Sequence, residues 1–258
     1  MASANKSYKD QVVWIIGASS GIGRALAVEL HTRGAKLVLS ARRQDELEKL
    51  NAELGGQHFC QSLDIGDQAS LQAAVGEIHT QFGRIDRTVL LASIYQPMKI
   101  NALDLKKVSQ IVDVNLKGAF NTLSVLSSVL DAQANRGDMA QLAVTASVAG
   151  YIGLPNSQPY AATKAATISL VESYRAEAKK GVDVRLICPG FVETPMTGVN
   201  EFPMPMIIRP EAAAKEIADG LAGKKFEIHF PKKFTFMLKL ISALPYWLAL
   251  PIISRLRG

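Results

Sequence analysis

Two side chains with complementary proton chemistry stand four residues apart in the run Tyr160-Ala161-Ala162-Thr163-Lys164. On a helix that spacing puts them on one face, one turn apart. A phenol has an ordinary pKa of about 10, too high to exchange protons readily near neutrality. An ammonium held beside it favours the phenolate and is expected to lower that value. A tyrosine tuned this way acts as acid or base on a carbonyl or alcohol oxygen. Taken alone, the spacing describes ordinary surface neighbours just as well, so the elements around the pair have to decide.

The chain has 258 residues, 48% of them hydrophobic and 20% charged, the balance of a globular protein with a sizeable core. Its net charge of +6 is compatible with phosphorylated cofactors, nucleic acid or an anionic membrane surface. No basic block interleaved with aromatics occurs, which argues against nucleic acid. Cys60 and Cys188 are far apart, forming neither a metal-ligand spacing nor a disulfide framework, and a reducing, cytoplasmic setting is expected. The four histidines are scattered singly, so no metal site is expected. Residues 1–10 are polar and do not read as a secretory signal.

The segments 12–16, 36–40, 58–63, 88–91, 141–145, 183–187 and 226–230 read as strands, with 12–16 and 88–91 buried by their composition. Between them, 22–32, 46–54, 68–82, 106–130, 160–179 and 211–222 read as helices. This alternation predicts an α/β fold, a doubly wound parallel sheet of about seven strands with helices on both faces, in a single domain. The composition shifts at Pro231, which divides a catalytic unit, 1–230, from an extension, 231–258.

Gly17-Ala18-Ser19-Ser20-Gly21-Ile22-Gly23 lies between the first strand and the first helix. Glycines there permit a tight turn and close backbone approach to a pyrophosphate, and the helix N-terminus supplies free N–H groups. The spacing is G-x-x-x-G-x-G rather than G-x-G-x-x-G. At the end of the second strand, where a carboxylate would hydrogen-bond the ribose of NAD, stand Arg42 and Arg43. A guanidinium pairs with a 2′-phosphate through its fork of donors, which favours NADP(H). After the third strand, Asp64 is placed to accept from an adenine amino group and Ile65 to pack on the ring.

In this order, the glycine loop, Asp64, Asn115 in Asp113-Val114-Asn115-Leu116-Lys117-Gly118, Ser147, Tyr160-x-x-x-Lys164 and Pro189-Gly190 resemble the short-chain dehydrogenase/reductases. The resemblance covers roughly residues 10–230. It implies a catalytic tetrad in which Tyr160 is the acid in reduction and the base in oxidation. Lys164 would lower the tyrosine pKa and hold the nicotinamide ribose, Ser147 would hydrogen-bond the substrate oxygen, and Asn115 would organise a relay water. It also places Pro189, Gly190, Val192 and Thr194 against the nicotinamide and Ala92 at the cofactor ribose. Two departures stand out. Leu90-Leu91-Ala92-Ser93 replaces the usual Asn-Asn-Ala-Gly, so Leu90 should pack and Ser93 stands where glycine allows unusual angles. Ile16 replaces a threonine.

Residues 194–208 are rich in Met, Pro and apolar side chains, and in the family such a segment is a mobile lid. Met196, Phe202 and Met204, with Tyr95 and Tyr151, are the candidate lining of an apolar substrate pocket. After Phe230, Lys232-Lys233 precedes an apolar stretch with Tyr246, Trp247 and the pair Arg255-x-Arg257. Lys239 and the prolines argue against a spanning helix. Short helices of this kind suit a membrane surface, with a dimer contact or a lid over the substrate entrance as alternatives. The expectation is an NADP(H)-dependent reductase or dehydrogenase of a lipid-like carbonyl or alcohol. The family's dimer would form through 106–130 and 160–179. The alternative is a non-catalytic NADP(H)-binding sensor or interaction subunit on the same fold.

Overall fold

Continuous apolar runs become central strands when helices cover a sheet on both sides, because both rows of side chains are then buried. The computed structural model describes residues 8–200 and 202–255. Its strands are β1 (Val12–Ile16), β2 (Lys36–Ala41), β3 (Phe59–Ser62), β4 (Arg87–Leu90), β5 (Ala140–Thr145), β6 (Val182–Pro189) and β7 (Glu227–Phe230). They form one sheet in the order β3-β2-β1-β4-β5-β6-β7, with every pairing parallel. In β1, Val12, Trp14 and Ile16 join the core on one face while Val13 and Ile15 join the core on the other.

Three helices cover each face. α1 (Gly21–Thr32), α2 (Gln44–Glu53) and α7 (Pro210–Ala222) bury Leu26, Leu47 and Ile217 against one side. α3 (Gln68–Phe82), α5 (Gly118–Asn135) and α6 (Tyr160–Glu177) bury Leu71, Leu126 and Val171 against the other. The doubly wound α/β architecture is therefore as expected. Successive connections leave in opposite directions from β1 and β4, and the crevice beyond the carboxyl ends of such neighbours is where ligands bind.

The stretch expected as one helix over 106–130 is interrupted. α4 (Leu105–Val112) passes into a π-helical turn, Asp113–Lys117, before α5 begins. Asn115 lies in that turn and is buried. After β7, α8 (Lys232–Ser242) and α9 (Tyr246–Ser254) add a small third core of Phe234, Leu238, Ile241, Ala249 and Ile253 on Val148. Among the described residues no helix is long and apolar enough to cross a membrane. Residues 1–7 and Arg257 lie outside the described residues.

His58 makes the fold sensitive to acid. Its Nδ1 accepts from the Leu37 N–H at 3.3 Å, and its Nε2 stands 2.9 Å from His31 Nδ1. Burial, then the neighbouring His31, lowers its pKa from 6.5 to about 4. Across that interval the unfolded chain takes up a proton that the native chain refuses. Stability must therefore fall as pH drops from about 6.5 towards about 4. Urea-unfolding midpoints should show this decline, with a shallower slope in His58→Gln. Equal slopes would assign the acid sensitivity elsewhere.

Candidate active site

A cleft of about 350 Å³ opens at the carboxyl ends of the central strands. Ser19, Ser20 and Ile22 line it with Gly17, Gly21 and Gly23. Gly17 has φ of +102°, and a Cβ on it would stand 2.6 Å from the Ala92 nitrogen. A Cβ on Gly23 would stand 2.0 Å from the Gly17 carbonyl oxygen, so only hydrogen fits between loop and helix. Ser20 precedes α1 in extended conformation without capping it through its side chain. The first-turn N–H groups are thus left for an anion.

Arg42 and Arg43 are exposed at the rim of the same cleft, and Arg43 Nη2 donates to Ser19 Oγ at 3.2 Å. Asp64 also lines it, while its Oδ1 accepts from the Gly66 N–H at 2.8 Å, which leaves the second carboxylate oxygen for a ligand. Ile65 is buried beside Gly118, where a Cβ would come within 2.7 Å of its side chain. Ala92, Pro189, Gly190, Val192 and Thr194 complete the lining. Thr197, which sequence reasoning missed, braces this last segment: its Oγ1 donates to the Val192 carbonyl at 2.6 Å and accepts from the Thr194 N–H at 3.0 Å.

The altered segment after β4 is accommodated without strain. Leu90 is buried in the core. Leu91 and Ala92 both donate backbone N–H to the Ile16 carbonyl, at 2.8 and 2.9 Å. Ser93 does not adopt a positive φ. Its hydroxyl instead donates to Asn115 Oδ1 at 3.0 Å. Asn115 also accepts from the Ile94 N–H and donates to the Ile94 carbonyl, both at 2.8 Å. Its side chain is therefore engaged in fixing the strand-end segment, with Thr163 Oγ1 a further 3.3 Å contact on α6.

Ser147 follows β5 and starts a short 3₁₀ turn, its Oγ accepting from the Ala149 N–H at 3.2 Å. Tyr160 opens α6, and Lys164 is buried one turn on, donating to the Thr145 carbonyl at 2.9 Å. Lys164 Nζ stands 5.5 Å from the centre of the Tyr160 ring. The expected lowering of the phenol is overturned. Burial pushes Tyr160 up to about 12, and the Ser147 hydroxyl beside it only partly offsets this. Burial likewise brings Lys164 down to about 8. Desolvation disfavours the charged form of each group, and it is the largest cause of both shifts. Tyr160 is consequently a protonated donor at neutral pH.

A second cavity of about 210 Å³ adjoins the cleft. Ser147, Tyr160, Gly190, Met196 and Thr197 wall both, so the Tyr160 side chain stands where the two meet. Tyr95 lines this cavity, its ring edge-on to Tyr160 with centroids 4.9 Å apart and its hydroxyl donating to Asn200 Oδ1 at 2.8 Å. Phe202 lines it as expected. Met204 does not; its sulfur instead accepts from Asn200 Nδ2 at 3.3 Å. Tyr151 does not either. Its hydroxyl turns away to donate to Glu227 on β7, which also receives the Lys239 ammonium from α8. Burial works to raise the Glu227 carboxyl, and the bonds from Lys239 and Tyr151 outweigh it, holding it below the usual carboxylate range.

Helix α8 supplies lining that the sequence did not reveal: Phe234, Met237 and Leu238. Phe234 packs on Phe191 with ring centres 5.4 Å apart and closes over Gly190, where a Cβ would meet it at 2.9 Å. The i, i+4, i+7 stripe of Phe234, Leu238 and Ile241 was the available signal. What that stripe covers depends on residues more than forty positions earlier.

A dinucleotide fits this arrangement: a loop whose Gly17 and Gly23 leave no room for a Cβ, a helix N-terminus without a side-chain cap, two guanidinium groups at one end and the Tyr160 hydroxyl at the other. The sequence matches the short chain dehydrogenase family over residues 11–202. An uncharacterized oxidoreductase of Myxococcus xanthus is 30% identical over 247 residues, covering 94% of this chain and 95% of that protein. Oxidoreductase UcpA of Salmonella typhimurium is 39% identical over 189 residues, covering 70% and 69%. Among solved structures, an alcohol dehydrogenase from Thermococcus sibiricus complexed with 5-hydroxy-NADP aligns with TM-score 0.75 at 28% identity, over 86% of this chain and 96% of that one. A short chain dehydrogenase/reductase from Burkholderia phymatum in complex with NAD aligns with TM-score 0.82 at 22% identity, over 91% and 93%, and shares the fold. Loop, site and sequence agree, and the chain belongs to the short chain dehydrogenase family of oxidoreductases.

Proposed function

We propose that this protein is an NADP(H)-dependent reductase of apolar, lipid-like carbonyl compounds, able to run in reverse on the corresponding secondary alcohols. The observation that carries the reading is the position of Tyr160 at the junction between the dinucleotide cleft and the apolar cavity. NADP(H), when bound, supplies or accepts the hydride. Arg42 and Arg43 would hold the 2′-phosphate, Asp64 and Ile65 the adenine, and the glycine loop the pyrophosphate. Pro189, Gly190, Val192 and Thr194 would face the nicotinamide, with Ala92 and Lys164 at its ribose.

Ser147 Oγ and the Tyr160 hydroxyl would orient the substrate oxygen between two donors. As charge develops on that oxygen, Tyr160 gives up its proton, and the Lys164 charge stabilises the phenolate left behind. Asn115 positions the segment at 92–94 and, through Thr163, the helix carrying both groups. Phe191, Phe202, Phe234 and Leu238 exclude water from the reacting face.

A homodimer through the outer faces of α4, α5 and α6 is supported by the exposed side chains of Val112 and Phe120. A site on the cytoplasmic face of a membrane, held peripherally by α8 and α9, is supported by the exposed apolar side chains there. The non-catalytic alternative loses ground because Ser147, Tyr160 and Lys164 meet at one point. The test is oxidation of NADPH and NADH over a panel of ketones that includes tetradecyl acetoacetate. Turnover with NADPH preferred supports the proposal. Binding of NADPH without turnover of any ketone would favour the sensor reading.

A further inference from the structure

The C-terminal extension is a wall of the substrate cavity on one side and an uncovered apolar surface on the other. Its inner side chains, Phe234, Leu238, Ile241, Ala249 and Ile253, are buried. On the outside, Phe236 is 60%, Leu240 67%, Tyr246 77%, Trp247 73% and Leu250 56% exposed. Isolated exposed apolar residues are ordinary, whereas this many in two adjoining helices mark a contact surface.

The charges around that surface say what it meets. Lys232, Lys233 and Arg255 are exposed at its ends, while Lys239 is already bonded to Glu227. From 231 to 255 there is no aspartate or glutamate. A symmetric contact with a second copy would bring this basic patch against itself with no carboxylate in the extension to answer it. An anionic lipid surface answers it directly. Tryptophan and tyrosine suit the headgroup boundary, and lysines flanking an apolar face suit acidic lipids.

The cavity opens beside this face. Met237 lines the cavity and is 43% exposed, one residue from Phe236 and three from Leu240 on the same helix. Pro203 and Pro205, both exposed, line the cavity as well. The mouth is therefore apolar on both rims and borders the surface that would meet lipid.

We propose that α8 and α9 seat the enzyme on an anionic bilayer and that the carbonyl substrate passes from the lipid into the cavity past Met237, without crossing bulk water. This rests on the reductase reading and adds to it the source and route of the substrate. A long-chain lipid with its carbonyl near one end fits: the carbonyl reaches Tyr160 while the chain trails through the mouth.

The test uses the full-length protein with NADPH, vesicles of phosphatidylglycerol and phosphatidylcholine, and two esters with the same reacting ketone. Tetradecyl acetoacetate resides in the vesicles, and methyl acetoacetate is water-soluble. Trp247 reports binding through quenching by brominated lipids, because Trp14, the second tryptophan, is fully buried. Wild type should be quenched by the mixed vesicles and far less by phosphatidylcholine alone. The double variant Leu240→Ser/Leu250→Ser should lose quenching and lose about tenfold in rate on the vesicle-borne ester, with its rate on methyl acetoacetate unchanged. Met237→Lys should keep the quenching and slow the vesicle-borne ester, which separates passage at the mouth from binding to the vesicle.

Unchanged turnover of the vesicle-borne ester by the double variant would overturn the route while leaving the reductase reading intact. Absence of quenching in wild type, with an oligomer that dissociates in the double variant, would assign the face to a second copy. Reduction of neither ester would sink the reductase reading on these substrates and the uptake route with it.

Discussion

Tyr160→Phe should lower kcat/KM for ketone reduction by about a hundred- to ten-thousandfold, the range for loss of a positioned proton donor. That corresponds to roughly 3–5 kcal/mol of transition-state stabilisation. Affinity for NADPH should change little, because the phosphate cradle lies at Gly17, Gly23 and α1, away from the phenol. The wild-type pH profile follows from the two shifts. Tyr160, raised to about 12, stays protonated through neutrality. Lys164, lowered to about 8, carries its charge below that pH and loses it above. Reduction should therefore hold through neutral pH and decline as pH rises through about 8, in the free enzyme. A profile that instead rises through that pH would mean the phenolate is the working form in reduction.

The second large effect concerns cofactor choice. Arg42 is exposed at the cleft rim, where a guanidinium can grip a 2′-phosphate in two places. A hydrogen bond to a charged group contributes about 1.5–3 kcal/mol, so losing this grip costs about ten- to a hundredfold. Arg42→Ala should lower kcat/KM for NADPH by that factor and leave NADH nearly unchanged. Arg43 has a second task through its bond to Ser19. Arg43→Ala should weaken both cofactors, since it loosens the loop that both must use. Steady-state kinetics with each cofactor separate the two. Equal losses for NADPH and NADH in Arg42→Ala would remove the argument for NADP(H).

The legible part of the molecule was the part encoded by local pattern. The central strands are rich in apolar residues, and all seven strands lie within two residues of their expected limits. The glycine loop and the order of the motifs carried the site because each needs a particular residue at a particular turn. What was not legible depends on partners far along the chain. Tyr151 sits just past the serine loop and reads as a pocket aromatic, yet its hydroxyl finds Glu227 on β7. The π-helical turn at Asp113–Lys117 leaves no mark in the apolar spacing, although it holds the buried Asn115. The direction of the Tyr160 shift was not legible for the same reason. Spacing shows that Lys164 is near, but only the packed site shows how much desolvation works against the phenolate.

The extension is an intermediate case. Its amphipathic spacing is visible, and so are its aromatic residues and its lack of carboxylates. That Phe234 closes over Gly190 is not, because the contact joins α8 to the end of β6. Seating on the body depends on the Glu227–Lys239 pair and on the small core around Val148. The cavity wall and the exposed apolar surface are thus two faces of one element.

Deuteride transfer measures the proposed reaction at Tyr160 directly. NADPH carrying deuterium at the transferred position of its nicotinamide is incubated with the wild-type protein and tetradecyl acetoacetate. The product alcohol is then analysed by mass spectrometry beside that of Tyr160→Phe. Deuterium should appear on the carbinol carbon with the wild type and almost none with the variant at matched cofactor occupancy. Equal incorporation by the two proteins would contradict the role given to Tyr160. Cofactor binding with no transfer by the wild type, to this ketone or any other of the panel, would contradict the proposed reaction itself.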